Sequence, residues 1–304
     1  MTFLNWLGAL PGAAALGMIW GVMAIGVYIT YKILDIADLT VDGSICTGAA
    51  VCAVLVTAGA NIWVAMLVAL LAGVLCGLVT GFFHTFMGIP AILAGILTQL
   101  ILWSVNLKIM GKSNIGLLPQ SYSPIITNMR EDRVQTILTL IIIIACVTAV
   151  LYWFFGTEMG ASLRATGCNI HMSRAQGINT DLNKIIGLAL SNGIVAFSGA
   201  LLAQFNGNSD INMGRGAIVV GLAAVIIGEA VTARFAKNFA VRLLGVVLGG
   251  VIYYFVYQTV VFLGLDTDLL KMLSAIVVAV FLAVPYWKKT YFSGAGKKEE
   301  KNNA

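Results

Sequence analysis

Charge is scarce in this chain. Asp, Glu, Lys and Arg make up 10% of its 304 residues, 13 acidic against 18 basic, where a soluble domain carries about 25%. So few ionised groups cannot cover a water-exposed surface of this size, which excludes a soluble globular protein and leaves much of the outside facing lipid. Histidine is scarcer still. The two present, His84 and His171, are isolated near the edges of apolar runs and lack the HExxH spacing of a zinc site on a helix. The five cysteines, Cys46, Cys52, Cys76, Cys146 and Cys168, are odd in number and form no CxxC pair. They read as small packing residues, supporting neither a disulfide framework nor a metal site. No GxSxG elbow occurs. Gly111-Lys-Ser113 ends like a phosphate-binding loop, but the upstream glycine that motif needs is Asn106. The chain is therefore expected to hold no catalytic residue, metal or cofactor of its own.

What the sequence has is hydrophobicity: 60% apolar residues and a mean hydropathy of +0.95. A helix needs about 20 apolar residues to cross a bilayer. Nine runs approach that length, at residues 12–31, 43–58, 63–83, 89–107, 134–156, 185–205, 217–229, 243–263 and 272–287. The second, seventh and ninth are short, as tilted, broken or re-entrant segments are. The expected fold class is all-α, a polytopic integral membrane protein of about eight to ten helices, with one membrane domain over 1–290 and a polar, disordered tail over 291–304. Met1–Leu10 reads as an interfacial lead-in. With nine spans and the tail inside, inner segments hold Lys32, Arg164, Arg174, Lys184, Arg234, Lys237, Arg242, Lys288, Lys289, Lys297, Lys298 and Lys301, 12 of the 18 basic residues. This excess of inner positive charge orients the C-terminus to the cytoplasm and the N-terminus outside. It also explains the net charge of +5 without a nucleic-acid partner.

Among the 33 glycines, Gly73, Gly77 and Gly81 form two overlapping GxxxG steps and Gly245 with Gly249 a third. This spacing lets helices pack closely within or between protomers, and a ligand path is the alternative reading. Polar residues at membrane depth are costly and tend to be functional or paired. Gln99, Asn192, Gln204 and Glu229 are of this kind, either interhelical hydrogen-bond partners or transport ligands. The run Asp35 to Ser44 places Asp38, Asp42 and Ser44 between the first two spans, as a cavity or gate lining or as an ordinary solvated loop.

Residues 157–184 form the longest polar stretch between spans. Ala161–Thr166 and His171–Gln176 have helix-compatible composition, Gly167 and Gly177 punctuate them as turns, and Asn179-Thr180-Asp181 offers helix caps. A short helix between glycine turns suits docking into a groove of a partner.

Here the sequence resembles the permease subunits of ABC importers of the branched-chain amino acid and ribose type, and within that group the permeases that accompany tryptophan/tyrosine-type binding lipoproteins. The resemblance rests on Leu163-Arg-Ala-Thr-Gly167, Asn169, Arg174-Ala-Gln-Gly-Ile-Asn179, Lys184, Gly187-Leu-Ala-Leu-Ser-Asn192, Ser198-Gly-Ala-Leu-Leu-Ala-Gln204, Gly221-Leu-Ala-Ala-Val-Ile-Ile-Gly-Glu229 and Asp38-Leu-Thr-Val-Asp-Gly-Ser44. Together these span residues from about 35 to about 250. The resemblance implies a bacterial plasma-membrane permease, two copies forming the path. An external binding protein delivers a small solute, an amino acid of aromatic type, and cytoplasmic ATPase subunits hold the ATP and Mg. It also implies that Arg164, Ala165, Thr166, Gly167, Asn169, Arg174, Gly177, Ile178 and Asn179 belong to the ATPase-coupling segment. Cys168, where other members carry a polar or acidic residue, and His171, where proline is common, depart from the pattern. The competing classes are a proton- or ion-coupled carrier titrating Glu229 or Asp42 and a membrane-embedded enzyme, which the missing constellations disfavour.

Overall fold

The computed structural model describes residues 3–117, 125–126, 133–232 and 238–262, together with isolated helical positions between 272 and 283. Helix α1 (Phe3–Tyr28) passes without a break into a π-helical turn, Ile29–Ile33. A non-helical stretch, 34–40, leads to α2 (Val41–Thr57). Then come α3 (Ile62–Thr85), α4 (Ala91–Met110) and α5 (Arg133–Gly156), two short helices α6 (Glu158–Cys168) and α7 (Ile170–Ala175), and finally α8 (Thr180–Asn206), α9 (Ala217–Thr232) and α10 (Phe239–Phe262). Among the described residues, six helices are long and apolar enough to cross a bilayer, and α2 and α9 are shorter apolar helices. These eight coincide with the first eight expected spans. The ninth, 272–287, falls mostly outside the described residues, and Arg234, Lys237 and the tail wholly so.

The chain is an all-α membrane bundle with one addition: β1 (Asn114–Gly116) pairs antiparallel with β2 (Asn208–Asp210), Ile115 facing Ser209. The segment expected as a lead-in is described from Phe3 onward. From Phe3 it is helical and continuous with α1, and Pro11 inside the helix does not end it, because a helix in lipid keeps its remaining backbone bonds where no water competes for them.

Local chemistry sets the helix ends. Asn61, Thr157, Asn169 and Asn179 accept hydrogen bonds from the first-turn N–H groups of α3, α6, α7 and α8. Gly111 and Gly207 end α4 and α8 in the left-handed conformation; the glycine of the Gly-Lys-Ser motif is thus a helix stop.

Burial divides the helices. α1 and α8 are buried over most of their length, whereas α3, α4 and α5 turn large apolar side chains outward, among them Trp63, Leu75, Leu100, Ile142 and Trp153. In water such a surface would drive aggregation; in a bilayer it is the lipid contact. At one end, the close of α1 meets α6 through Ile33 and Gly167, and Leu34 meets Gly187 of α8. Phe239 stacks near Phe155 and Tyr28, with ring centroids 5.0 and 6.4 Å away, which brings the end of α5 and the start of α10 to the same place. Lys32, Arg164, Arg174, Lys184 and Arg242 gather there, making it the basic end. Because each successive crossing reverses direction, the first residues of α1 lie at the opposite end.

Candidate functional site

The two short helices meet head to head inside the bundle. Asp42, in the first turn of α2, accepts the backbone N–H of Gly216 and of Ile218 on its two carboxylate oxygens, both at 2.9 Å. A helix leaves its first N–H groups without intrahelical partners and carries partial positive charge there. Asp42 supplies the cap for α9 from another helix, so the start of α9 is held by α2. Gly214 of the linker packs against the Asp42 carbonyl, and the Gly214 N–H points at the Cys46 sulfur, 3.1 Å away.

Behind this junction lies a buried polar network. Asp38, 2% exposed, accepts the Thr40 N–H at 2.9 Å and the Asn192 side-chain N–H at 2.7 Å. Ser44 donates to the Asn192 carbonyl oxygen at 2.6 Å, and the same Asn192 amide reaches the Leu188 carbonyl at 2.9 Å. Thr40 and Thr80 share a hydrogen bond of 2.7 Å. Every polar group of Asn192 is therefore used, and α2, α3 and α8 are cross-linked at one level. Asp38, Ser44 and Asn192, 154 residues apart at the extremes, are brought together; Asp42 stands beside them. Gln204 is elsewhere, near the far end of α8, where it accepts the Ile125 N–H at 3.3 Å. Glu229 is elsewhere too, at the basic end, paired with Lys32 at 3.0 Å.

The glycine faces account for how close these helices come. A Cβ at Gly73 or Gly77 would strike the carbonyls of Asn192 and Leu188, and one at Gly81 would lie 3.0 Å from the Ile185 Cα. The three thus form a groove for α8 inside one protomer. Gly249 lies against Ala224 and Gly228 of α9, and Gly245 against Thr232.

At the basic end α6 and α7 form a helical pair with an outward face. Arg164, Ala165, Asn169, Arg174, Gly177 and Asn179 are exposed, Gly167 and Ile178 half-buried, and Thr166 buried. Thr166 faces inward because Asn183 of α8 donates to its hydroxyl at 2.8 Å and to Ser162 at 2.7 Å. Arg174 reaches Thr180 at 2.8 Å and Asp181 at 3.2 Å, tying α7 to α8. The expected turn at Gly167 is replaced by helix: α6 runs through it to Cys168. Its missing Cβ is needed for the contact with the Ile33 carbonyl. Gly177, at φ 79°, is a turn in the left-handed conformation. A cleft of about 610 Å³ separates this pair from the end of α3 and the start of α4, lined by Asp35, His84, Pro90, Asn169, His171 and Lys184 among others.

Sequence reasoning did not single out Asn183, Thr40, Thr80 or Asn106. Asn106 is 1% exposed on α4 and neither side-chain amide atom has a partner among the described residues. Being polar inside an expected span, it met the same criterion that marked Gln99.

An apolar bundle with a polar centre, two short apolar helices and a projecting helical pair at its basic end is the architecture of a multi-pass membrane protein. Residues 10–284 match the family model described as "Branched-chain amino acid transport system / permease component", and the chain belongs to that family. It is 40% identical over 266 residues to the tyrosine transport system permease protein of Clostridioides difficile, covering 88% of each chain. An uncharacterised protein of Rickettsia prowazekii is 34% identical over 263 residues, 86% of this chain and 92% of that one. The autoinducer 2 import system permease protein of Yersinia pestis is 29% identical over 195 residues, 62% of this chain and 54% of that one. No solved structure matches.

Proposed function

We propose that this chain is the membrane subunit of an ATP-driven importer for an aromatic amino acid, handed over by an external binding protein. The observation that carries the reading is the α6–α7 pair: a capped, helical, outward-facing element at the basic end of a permease whose relative is a tyrosine permease. The sequence has no phosphate-binding loop, so ATP and Mg belong to ATPase subunits that grip this pair at the cytoplasmic face. The positive-inside rule supports that sidedness, with the N-terminus outside. Two copies of the membrane domain, 1–290, form the path, and 291–304 is a cytoplasmic tail. Both carboxylates that a proton-coupled carrier would use already have structural partners, Asp42 in the α9 cap and Glu229 in the Lys32 pair.

The test is uptake of labelled L-tyrosine into proteoliposomes holding the chain with its cognate ATPase and binding protein. Uptake should require ATP and both partners. Gly167→Val, which drives a side chain into the Ile33 carbonyl, should displace α6 and reduce ATPase co-purification and solute-stimulated hydrolysis by at least tenfold while the bundle stays folded. Wild-type values of both would show that the pair is not the coupling element, and uptake driven by a pH gradient without ATP would replace the importer by a secondary carrier.

A further inference from the structure

A cavity of about 310 Å³ lies between α4, the start of α2 and the 211–215 linker, lined by Asp42, Cys46, Gln99, Trp103, Asn106 and Arg215 among others. It is within the size range of small-molecule sites, about 300–1,000 Å³. Gln99, Trp103 and Asn106 stand at i, i+4 and i+7 on α4, on one side of the helix. The Asn106 amide is covered by surrounding protein, and the amide side chain accessible on the cavity wall is that of half-buried Gln99. Arg215 is exposed at its edge and makes no ion pair among the described residues. Asp42 has given one lone pair on each oxygen to the α9 cap, and an ionised carboxylate has about four such sites. Trp103 offers a half-exposed indole.

We infer that this cavity is a binding site within the permease for a free amino acid with a planar side chain. The carboxylate is set on Arg215, the ammonium on the unused lone pairs of Asp42, the Gln99 amide on a polar group of the solute, and the ring against Trp103. A cation and an anion flanking a neutral amide and an indole complement a zwitterion with a flat apolar body. An acyl chain of lipid would match neither the Arg215 guanidinium nor the Asp42 carboxylate. The inference rests on the proposed function and adds to it that the permease itself recognises the solute.

The experiment uses the full-length chain in lipid nanodiscs with no binding protein and measures saturable binding of labelled L-tyrosine. Gln99→Leu should weaken binding at least tenfold while leaving the melting midpoint nearly unchanged, because a half-buried amide on the cavity wall is replaced by an apolar group of similar size. Arg215→Gln, at an exposed position, should weaken it similarly. Tyramine and 3-(4-hydroxyphenyl)propionate, each lacking one charge, should fail to compete at tenfold excess. Binding unchanged in both variants, equal competition by both analogues, or no saturable binding by a chain that transports tyrosine in the complete system would each overturn the site and leave the importer reading standing. A complete system that moves no aromatic amino acid would overturn both.

Discussion

At the centre of the bundle, buried Asp38 is held by the Thr40 N–H and the Asn192 amide and half-buried Asp42 by two backbone N–H groups, at distances of 2.7 to 2.9 Å. At the basic end, Glu229 is held by a lysine, and the two side chains are 33% and 48% exposed; Arg174 and Asp181 make a similarly exposed pair. The same chemical group therefore does two jobs. Where solvent is absent, an unmade hydrogen bond is not replaced by water, so the central network holds α2, α3, α8 and α9 in one arrangement. Where water is present, ion pairs are screened and worth about 0–1 kcal/mol. The end that would meet partners in the cytoplasm is the softer one, and the centre is the rigid one.

The contrast can be broken hardest at the α3–α8 groove. Gly77→Leu places a side chain where the Leu188 carbonyl stands, and neither backbone can yield without moving the network beside it. The expected loss is about 3 kcal/mol or more, seen as failure to recover folded protein in detergent or as a large drop in melting midpoint. A well-folded Gly77→Leu protein would mean the helices are not in contact there.

Next in size is Asn192→Ala, which removes one of the two hydrogen bonds to a buried carboxylate and strands the Ser44 hydroxyl. Hydrogen bonds to charged groups contribute about 1.5–3 kcal/mol, so a destabilisation of about 2–3 kcal/mol is expected by thermal unfolding. Asn192→Asp should be no better, since it sets a second acceptor against Asp38.

Asp42→Ala takes away the cap that α2 supplies to α9. Loss of an N-cap costs about 0.5–2 kcal/mol, and the local effect should be fraying of α9, read as faster hydrogen exchange at Ile218 and its neighbours with α1 unaffected. Uniform exchange across the bundle would sink the idea that Asp42 acts on α9 in particular.

Smallest is Glu229→Gln. It keeps the shape and one hydrogen bond to Lys32 and removes a half-exposed charge, for a stability change below about 1 kcal/mol and ATP-driven uptake near wild type. A loss as large as that of Asn192→Ala would erase the distinction between centre and end.

Most of the architecture is legible in the sequence. The apolar runs locate eight helices because each must satisfy its own backbone in lipid over about 20 residues. Even the short runs, 43–58 and 217–229, correspond to the two shorter apolar helices, α2 and α9. Asn179 is readable as a cap because the cap is a local interaction. Gly167 shows the limit of local reading: its composition resembles a turn, but it is helical, and its lack of a side chain answers to a carbonyl 134 positions earlier in the chain.

The candidate site is legible only as a set of suspects. Asp38, Asp42, Ser44, Asn192, Gln204 and Glu229 share one visible property, polarity inside or beside an apolar run, and that property does not say which of them meet. Hydropathy and charge are sums over a segment, so the sequence by itself determined the membrane class, the spans and the basic end. Hydrogen bonds depend on angles and on separations of a few ångströms between residues far apart in the chain. Only the tertiary structure decided that Asn192 joins Asp38 to Ser44, that Asp42 caps a helix beginning 175 residues later, that Glu229 belongs to Lys32, and that the cavity beside Asp42 is closed by Arg215 from the α8–α9 linker.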